Sequence, residues 1–376
     1  MRKVLLGLAV AVFLTGCNNS SDDDGPLASA LVIAATDYAG ANVVYGQSLS
    51  EKGNPIGKLR SRALGDDPKL DPRLPALANQ GNDELVLIRR EWGSAVNNGT
   101  LVWLDPTDRY SFDGSLSAAS TSANPQDYLR VRTDKAYVSR FEPAYDDVLI
   151  IDPVSRKRIG RIDLSGLADN PDGLARPTIM ALYNGLVYLL LQDIDLVFGT
   201  YGNGKVAVIN PATDKVVDVI DLNRKNPVVI LPSPERGSLL VACAGDWAAP
   251  ATSGLEEIDP ATGVSTLIVG GENAALAGYL GDLVAFNNGL ALVLNNKADW
   301  SGSYIQPVDL DTGAAGASLY FSWYIADLAR DRFGRAIIAD NITSQALAID
   351  PETGAVAFTL DLAVPPQSLL DWRERD

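Results

Sequence analysis

The protein is a chain of 376 residues in which 31 Lys and Arg stand against 47 Asp and Glu, a formal net charge of −16. A surface this acidic repels phosphate backbones, so we expect no nucleic-acid partner, and cationic partners fit better. The acidity can also serve solubility alone. Histidine is absent, which removes the commonest general base and the commonest transition-metal ligand.

The N-terminus predicts a secretory signal. Two basic residues precede an apolar run over residues 4–14, which is too short to span a bilayer as a mature helix. The run ends in Leu14-Thr15-Gly16-Cys17, which resembles the lipobox of bacterial lipoproteins. The resemblance implies that residues 1–16 are removed and that Cys17 is acylated, which would anchor the protein in a membrane. An ordinary secreted protein with a chance cysteine is the alternative.

Residues 17–29 would then comprise the acylated cysteine and an acidic stretch with almost nothing apolar to bury, which predicts a flexible tether. By the same resemblance, Asn18 rather than an aspartate after the cysteine implies sorting to the outer membrane of the bacterial cell envelope. A host with a single membrane is the alternative. The other cysteine, Cys243, lies in an apolar run, and we expect it to be a small buried thiol.

A turn sequence recurs along the chain. Near the C-terminus two apolar strands flank Asp350-Pro351-Glu352-Thr353-Gly354, in which Asp can accept a backbone N–H, Pro presets φ and Gly can end the turn in the left-handed conformation. Turns of the same frame begin at Asp105, Asp152, Asn210, Asp259 and Asp309, and the six turns are 47, 58, 49, 50 and 41 residues apart. A period near fifty that carries strands and no helical pattern is typical of a β-propeller.

The strands between these turns can be assigned to blades, with strands a to d counted from the inside outward. Six complete blades are predicted at residues 72–118, 124–165, 175–222, 226–269, 279–321 and 323–361. Residues 31–35, 42–47 and 56–60 supply strands b, c and d of one more blade, and residues 364–370 resemble the openings of other inner strands. We therefore predict an all-β, seven-bladed propeller over residues 30–376, closed by a C-terminal strand that joins the N-terminal blade.

The repeats also resemble a known family. The strand sequence at residues 136–140 and the hairpin at residues 206–220 are similar to those of YVTN-type β-propellers. The resemblance covers most of residues 75–361. It implies a seven-bladed propeller and commonly a binding role, and it carries no catalytic residue to this chain.

One pattern points to a site. An acidic residue stands just after the predicted strand b of every blade, and tryptophans stand beside three of these acids. Because the loops between strands b and c share one face of a propeller, these side chains would form a ring on that face. The residues are Asp37, Glu91, Glu142, Asp193, Asp246, Asp299 and Asp340, with Trp92, Trp247 and Trp300 beside them.

Three interpretations of this ring stay open. Acids at strand ends can accept loop N–H groups while aromatics pack between blades, a purely structural role. The ring can instead be a docking surface for a cationic or peptide partner, with aromatic anchors and acidic specificity. It can also hold a hard cation such as Ca²⁺ between converging carboxylates.

Enzymatic interpretations have less support. Without histidine no Ser-His-Asp constellation is possible, and no Gly-rich phosphate loop follows a strand and opens a helix. We therefore predict a lipid-anchored, non-enzymatic propeller without a cofactor, whose acidic and aromatic face binds a protein, peptide or cationic ligand. Two alternatives stay open: a calcium-dependent propeller hydrolase such as a lactonase, and a scaffold subunit of a machine that assembles outer-membrane proteins.

The lipobox can be tested directly. Replacing Cys17 with Ser should release the protein from membranes into the soluble fraction, because the serine cannot carry the acyl anchor. Fractionation of cells that express wild type or Cys17→Ser, with mass spectrometry of the N-terminus, measures this. Unchanged membrane retention of the variant, together with a wild type free of acyl mass, would contradict the prediction.

Overall fold

A computed structural model describes residues 29–76, 84–91, 99–119, 123–142, 144–195, 199–276 and 278–373. Within these residues, seven sheets of four antiparallel strands follow one another along the chain, and the only helical elements are the 3₁₀ turns Pro250–Thr252 and Ala274–Leu276. The predicted all-β, seven-bladed propeller is confirmed. In the part of the chain that is described, no helix has the length and apolarity needed to cross a membrane. The predicted residues Cys17 and Trp92 lie outside the described residues.

The strands are numbered in chain order. Blade 1 contains β1 (Ser29–Thr36), β2 (Asn42–Ser48) and β3 (Arg60–Gly65). Blade 2 contains β4 (Leu70–Arg73), β5 (Leu85–Glu91), β6 (Thr100–Asp105) and β7 (Ser111–Ser117). Blade 3 contains β8 (Pro125–Arg132), β9 (Lys135–Arg140), β10 (Asp147–Asp152) and β11 (Lys157–Asp163). Blade 4 contains β12 (Pro177–Tyr183), β13 (Leu186–Leu191), β14 (Lys205–Asn210) and β15 (Lys215–Asp221).

The second half of the ring has the same form. Blade 5 contains β16 (Pro227–Ser233), β17 (Ser238–Cys243), β18 (Gly254–Asp259) and β19 (Val264–Gly270). Blade 6 contains β20 (Gly278–Ala285), β21 (Leu290–Lys297), β22 (Ser303–Asp309) and β23 (Tyr320–Ser322). Blade 7 contains β24 (Ile325–Arg330), β25 (Ala336–Asp340), β26 (Gln345–Ile349) and β27 (Val356–Asp361). The last strand, β28 (Pro366–Arg373), returns to blade 1 as its innermost strand.

The repeated turns form as their chemistry predicts. Asp350 Oδ1 accepts the N–H groups of Glu352 at 3.1 Å and Thr353 at 2.8 Å, and Gly354 ends the turn at φ 71°. Because the strands of a blade are antiparallel, the a-to-b and c-to-d turns lie at one end of the ring, which we call the turn face. The b-to-c loops and the connections between blades lie at the other end, the loop face.

The central residues of the second strands are mostly apolar because both faces of these strands are covered. In β17, Leu239, Val241 and Cys243 pack with core residues of blade 4, whereas Leu240 and Ala242 pack with those of blade 6. Side chains alternate across a strand, so one continuous apolar run supplies two cores. Burial raises the pKa of the Cys243 thiol well above its ordinary value, in line with its structural place.

The ring closes through blade 1. Strand β28 pairs antiparallel with β1 from Ser29 opposite Arg373 to Ala35 opposite Pro366. Leu370 and Trp372 pack toward blade 2, and Leu369 packs toward blade 7. The predicted closure is therefore confirmed.

One strand assignment is wrong. Residues 56–60 were expected to form the outer strand of blade 1, but that strand runs over Arg60–Gly65. Residues 49–59 instead make a hairpin lobe, with a bridge between Leu49 and Pro55 and positive φ at Gly53. This connection of eleven residues is longer than the four to six residues found in blades 2 to 5 and 7, which moves the outer strand toward the C-terminus.

The closing strand predicts a strong effect of truncation. Deleting residues 363–376 should lower the free energy of unfolding by several kcal/mol, since Leu369, Leu370 and Trp372 are buried and single core truncations already cost about 2–5 kcal/mol. Thermal melting of the truncated and full-length proteins measures the loss. Deleting only residues 374–376 is the control, and equal melting temperatures for all three proteins would show that β28 is dispensable.

Candidate functional site

The predicted acids lie at the loop end of strand b in their blades, but their environments differ. Asp37 and Asp299 are exposed, Glu142 and Asp246 are half-buried, and Asp193 and Asp340 are fully buried. Glu91 ends β5, and its side chain lies outside the described part.

The exposed acids cap their own loops. Asp37 Oδ1 accepts the N–H groups of Ala39 and Ala41, both at 2.8 Å, and these bonds hold the pKa of Asp37 below its ordinary value. Hydrogen bonds from Ser301 do the same for the pKa of Asp299. Both carboxylates are therefore ionised at neutral pH and keep negative charge on the loop face.

The buried acids fasten connections between strands. Asp193 accepts bonds from the backbone of Asp169 and from both the backbone and the side-chain amide of Asn170. Asp340 accepts the hydroxyls of Tyr320 at 2.7 Å and Ser322 at 2.8 Å. These contacts agree with the purely structural interpretation of the acidic ring. Among the described residues, no three Asp, Glu or Cys side chains come together as a metal site.

The structure brings together two of the predicted tryptophans. The ring centroids of Trp247 and Trp300 are 5.6 Å apart, and Tyr279 lies 4.7 Å from the first and 5.4 Å from the second, stacked on it. Trp247 is 41% exposed and Trp300 is 62% exposed. We call these three residues the aromatic platform. Tyr279 was missed because it belongs to the inner strand of blade 6, and only tertiary packing places it here.

Hydrogen bonds anchor the platform to its loops, and an acidic side chain lies close to it. The Tyr279 hydroxyl donates to the Trp247 carbonyl at 2.6 Å, and Trp300 sits in a turn closed by its own N–H on the Lys297 carbonyl at 2.9 Å. Burial raises the pKa of Tyr279, and the nearby Asp246 carboxylate raises it further. The same two causes raise the pKa of the neighbouring Tyr201 to about 12. A cation would find favourable charge and ring faces at this position.

A second aromatic group extends across blade 6. Tyr304 and Phe321 have ring centroids 4.9 Å apart, and Trp323 lies 5.9 Å beyond Phe321. Trp323 is 64% exposed, and the Lys297 ammonium already lies 4.9 Å above the Tyr304 ring. These residues are not among the predicted site residues, although three aromatics within residues 320–323 are a visible signal in the sequence.

The centre of the ring holds a cavity of about 1030 Å³ lined by the inner strands. One wall is apolar, with Ile179 of blade 4 and Val228 and Val229 of blade 5. The opposite wall carries Arg73 and Arg90, which share the buried Asp71 carboxylate.

Aspartates on the inner strands connect neighbouring blades. Each inner strand from β8 to β28 contains a β-bulge. In three blades an aspartate of the preceding blade accepts the N–H of an inner-strand residue that lies just past the bulge. Asp127 accepts Met180 N–H at 2.9 Å, Asp282 accepts Leu328 N–H at 2.8 Å and Asp327 accepts Leu369 N–H at 2.6 Å.

Burial shifts these carboxyl groups. It raises the pKa of Asp127 to about 7. The pKa of Asp282 rises well above its ordinary value through burial and then through the neighbouring Asp327 carboxylate, and burial also raises the pKa of Asp327.

Comparison with known proteins shows the fold alone. No protein-family model matches the chain, and no curated protein matches it in sequence. The periplasmic gluconolactonase of Pseudomonas aeruginosa is similar in structure, at 14% identity and a TM-score of 0.63, over 92% of this chain and 99% of that chain. A protein from Lactobacillus plantarum shows 12% identity and a TM-score of 0.60, over 91% and 99% of the two chains.

AztD from Citrobacter koseri is also similar, at 11% identity and a TM-score of 0.52, over 93% of this chain and 100% of that chain. Of these three proteins, the first is named as a gluconolactonase, and similarity at such low identity shows the fold alone. The resemblance to YVTN-type repeats has no support from a family model. What the comparisons establish is the seven-bladed propeller.

The pKa of Asp127 predicts an unusual pH dependence. A carboxyl with a folded pKa near 7 and an unfolded pKa near 4 contributes stability that is full below about pH 4 and is lost as the pH rises through about 7. From about pH 5 to about pH 8 the loss is of the order of 3 kcal/mol. Asp127→Asn should therefore show a flatter melting temperature over this range than wild type.

Asp37→Asn is the matched control, because Asp37 is exposed and its pKa is lowered rather than raised. The melting temperature of Asp37→Asn should change with pH as much as that of wild type over this range. If the melting temperatures of wild type and Asp127→Asn change equally with pH, Asp127 is ionised over the whole range.

Proposed function

We propose that this protein is a binding protein of the bacterial cell envelope, which holds a cationic segment of a protein or peptide on its loop face. The observation that carries the proposal is the aromatic platform, in which Tyr279 is stacked on Trp300 and meets Trp247 edge-on. Both tryptophans are exposed, and each directly follows an acid in the sequence, Asp246 or Asp299. Exposed tryptophans are uncommon on a surface without a partner, and they are the residues most enriched among binding hot spots.

The chemistry of the platform favours a cation. Ring faces attract Lys and Arg side chains, and the contact is strengthened where the cation is partly desolvated. The ionised Asp299 and the nearby Asp246 add attraction at longer range and select against anionic partners. The hydrogen bond from the Tyr279 hydroxyl to the Trp247 backbone carbonyl holds the Tyr279 ring before binding, so less conformational entropy is lost.

The cellular place is part of the proposal. An acyl anchor on Cys17 would hold the protein at a membrane of the envelope, the outer membrane by resemblance to lipoproteins with a residue such as Asn18 after the cysteine. A YVTN-type propeller with a binding role is consistent with this proposal.

The double variant Trp247→Ala/Trp300→Ala tests the proposal. A fluorescent peptide rich in Lys and Arg should bind wild type, and the double variant should bind at least about tenfold more weakly, because anchor residues contribute more than about 1 kcal/mol each. Fluorescence anisotropy titrations measure the affinities. Phe112→Ala is the matched control, since Phe112 is 57% exposed on an outer strand away from the platform.

Melting temperatures separate a binding role from a structural one. Early unfolding of the double variant would mean that the tryptophans pack blades together. Stable folding with unchanged peptide affinity would exclude the platform as the site.

A second candidate is a hydrolase of the lactonase class. It is favoured by the structural similarity to a gluconolactonase and by the central cavity, which the buried Asp282 and Asp327 line, with Asp327 as the candidate general base. Release of acid from gluconolactone by wild type, lost in Asp327→Asn while peptide binding persists, would support this reading. The scaffold role in outer-membrane assembly would be supported by crosslinking of the loop face to assembly proteins.

A further inference from the structure

The platform and the second aromatic group meet at one short loop of blade 6. Residues 298–302 connect β21 to β22, and Trp300 of the platform lies in this loop. The Phe321 ring lies so close to the backbone of Gly302 that any side chain at position 302 would clash with it. Phe321 belongs to the second aromatic group, whose other members are Tyr304 and Trp323. The two groups are therefore neighbouring parts of the loop face.

The second aromatic group is open to solvent. The Phe321 ring packs on Gly302 and lies beside the Tyr304 ring, with 4.9 Å between the ring centroids. Phe321 is nevertheless 45% exposed, and Trp323 is exposed further still. Exposed apolar surface next to a proposed binding site is typical of a contact for a partner.

The register of the sheet gives the distance between the two groups. Tyr279 of the platform lies in β20 and Phe321 lies in β23, the first and the fourth strand of the blade. Tyr279 pairs with Asn296 of β21. Phe321 pairs with Tyr304, which in turn pairs with the residue before Asn296, so both rings start from the same level of the blade. Because neighbouring strands are about 4.8 Å apart, three strand spacings separate the groups by about 14 Å, which about four residues of extended chain would cover.

The charges beside the two groups favour different side chains of a partner. The platform has the ionised Asp299 next to one of its tryptophans. The second group instead has a cation of its own, because the Lys297 ammonium lies 4.9 Å from the centre of the Tyr304 ring. Lys297 also contributes to the lowered pKa of Asp299, so its charge is felt on both sides of the loop. A partner cation at the second group would meet an occupied ring face and a like charge, whereas an aromatic side chain would meet neither.

We propose that the second aromatic group is a second subsite, which takes an aromatic side chain of the partner about four residues from the cation on the platform. The partner is then an extended segment with one cationic and one aromatic anchor, and not a uniformly basic one. This inference rests on the proposed function and adds the second anchor to it. Lys297 selects against Lys and Arg at the second position.

Three fluorescent peptides of equal length test the proposal. They share one segment rich in Lys and Arg, and the residue four positions beyond its last arginine is serine, tryptophan or a further arginine. In about 0.15 M salt, where long-range attraction is screened, wild type should bind the tryptophan peptide at least about fivefold more tightly than the serine peptide. It should bind the arginine peptide less tightly than the tryptophan peptide. Anisotropy titrations measure the three affinities.

Variants of the second group locate the gain in affinity. Phe321→Ala/Trp323→Ala should bind the serine peptide as wild type does and should lose the gain from tryptophan. Trp323→Ala alone leaves the packing of Phe321 on Gly302 in place, and it should lose much of the gain even if the double variant does not fold. Lys297→Gln should bind the arginine peptide more tightly than wild type does. Phe112→Ala is the matched control and should keep the whole gain, since Phe112 is exposed on an outer strand of blade 2.

The outcomes distinguish the second subsite from the proposed function. Trp247→Ala/Trp300→Ala should weaken the binding of all three peptides, and a wild type that binds none of them would overturn the proposed function itself. Binding of the serine peptide without a gain from tryptophan would overturn the second subsite alone. So would a gain that persists in folded Phe321→Ala/Trp323→Ala, or an arginine peptide that binds wild type as tightly as the tryptophan peptide. Melting temperatures establish which variants fold.

Discussion

Each blade of this protein has two apolar faces, and neither can be covered from within the blade. Alternate residues of β17 show the constraint at the smallest scale, because Val241 faces blade 4 and Ala242 faces blade 6. Every core therefore lies between two blades, and a ring is the arrangement that leaves none uncovered. Blade 1 completes the ring with strands from both ends of the chain, so its stability and that of the whole domain are linked.

The inner strands add a second, polar connection between the same neighbours. Asp127, Asp282 and Asp327 each carry an acceptor across a junction to an N–H of the next inner strand. The Ser368 hydroxyl does the same for the N–H of Leu74. At the equivalent register, blade 4 has Ile179 and blade 5 has Val229, which also form the apolar wall of the cavity. The cavity wall is therefore polar where neighbouring blades are joined by these hydrogen bonds, and apolar where an aliphatic residue takes the place of the acceptor.

Much of the fold could be predicted because its determinants are local. The Asp350 turn encodes its own hydrogen bonds, and an apolar run encodes a strand that is covered on both sides. The hairpin lobe of blade 1 could not be placed, since a longer connection with glycines at 53 and 57 has several permitted shapes. The site was harder still. The repeat places Asp193 and Asp299 at equivalent positions, but it does not distinguish a buried carboxylate from an exposed one. It also gives no sign that Tyr279 contacts the tryptophans, because that contact depends on tertiary packing.

The pairing of β1 with β28 also has a mechanical consequence. The first and last residues of this pair, Ser29 and Arg373, lie opposite each other at the same end of an antiparallel ladder. A force applied between the two ends of the chain therefore loads the hydrogen bonds one pair at a time, as in opening a zipper, instead of loading them all together in shear. Pulled by its ends, the ring should yield at blade 1 first, with the other six blades still assembled.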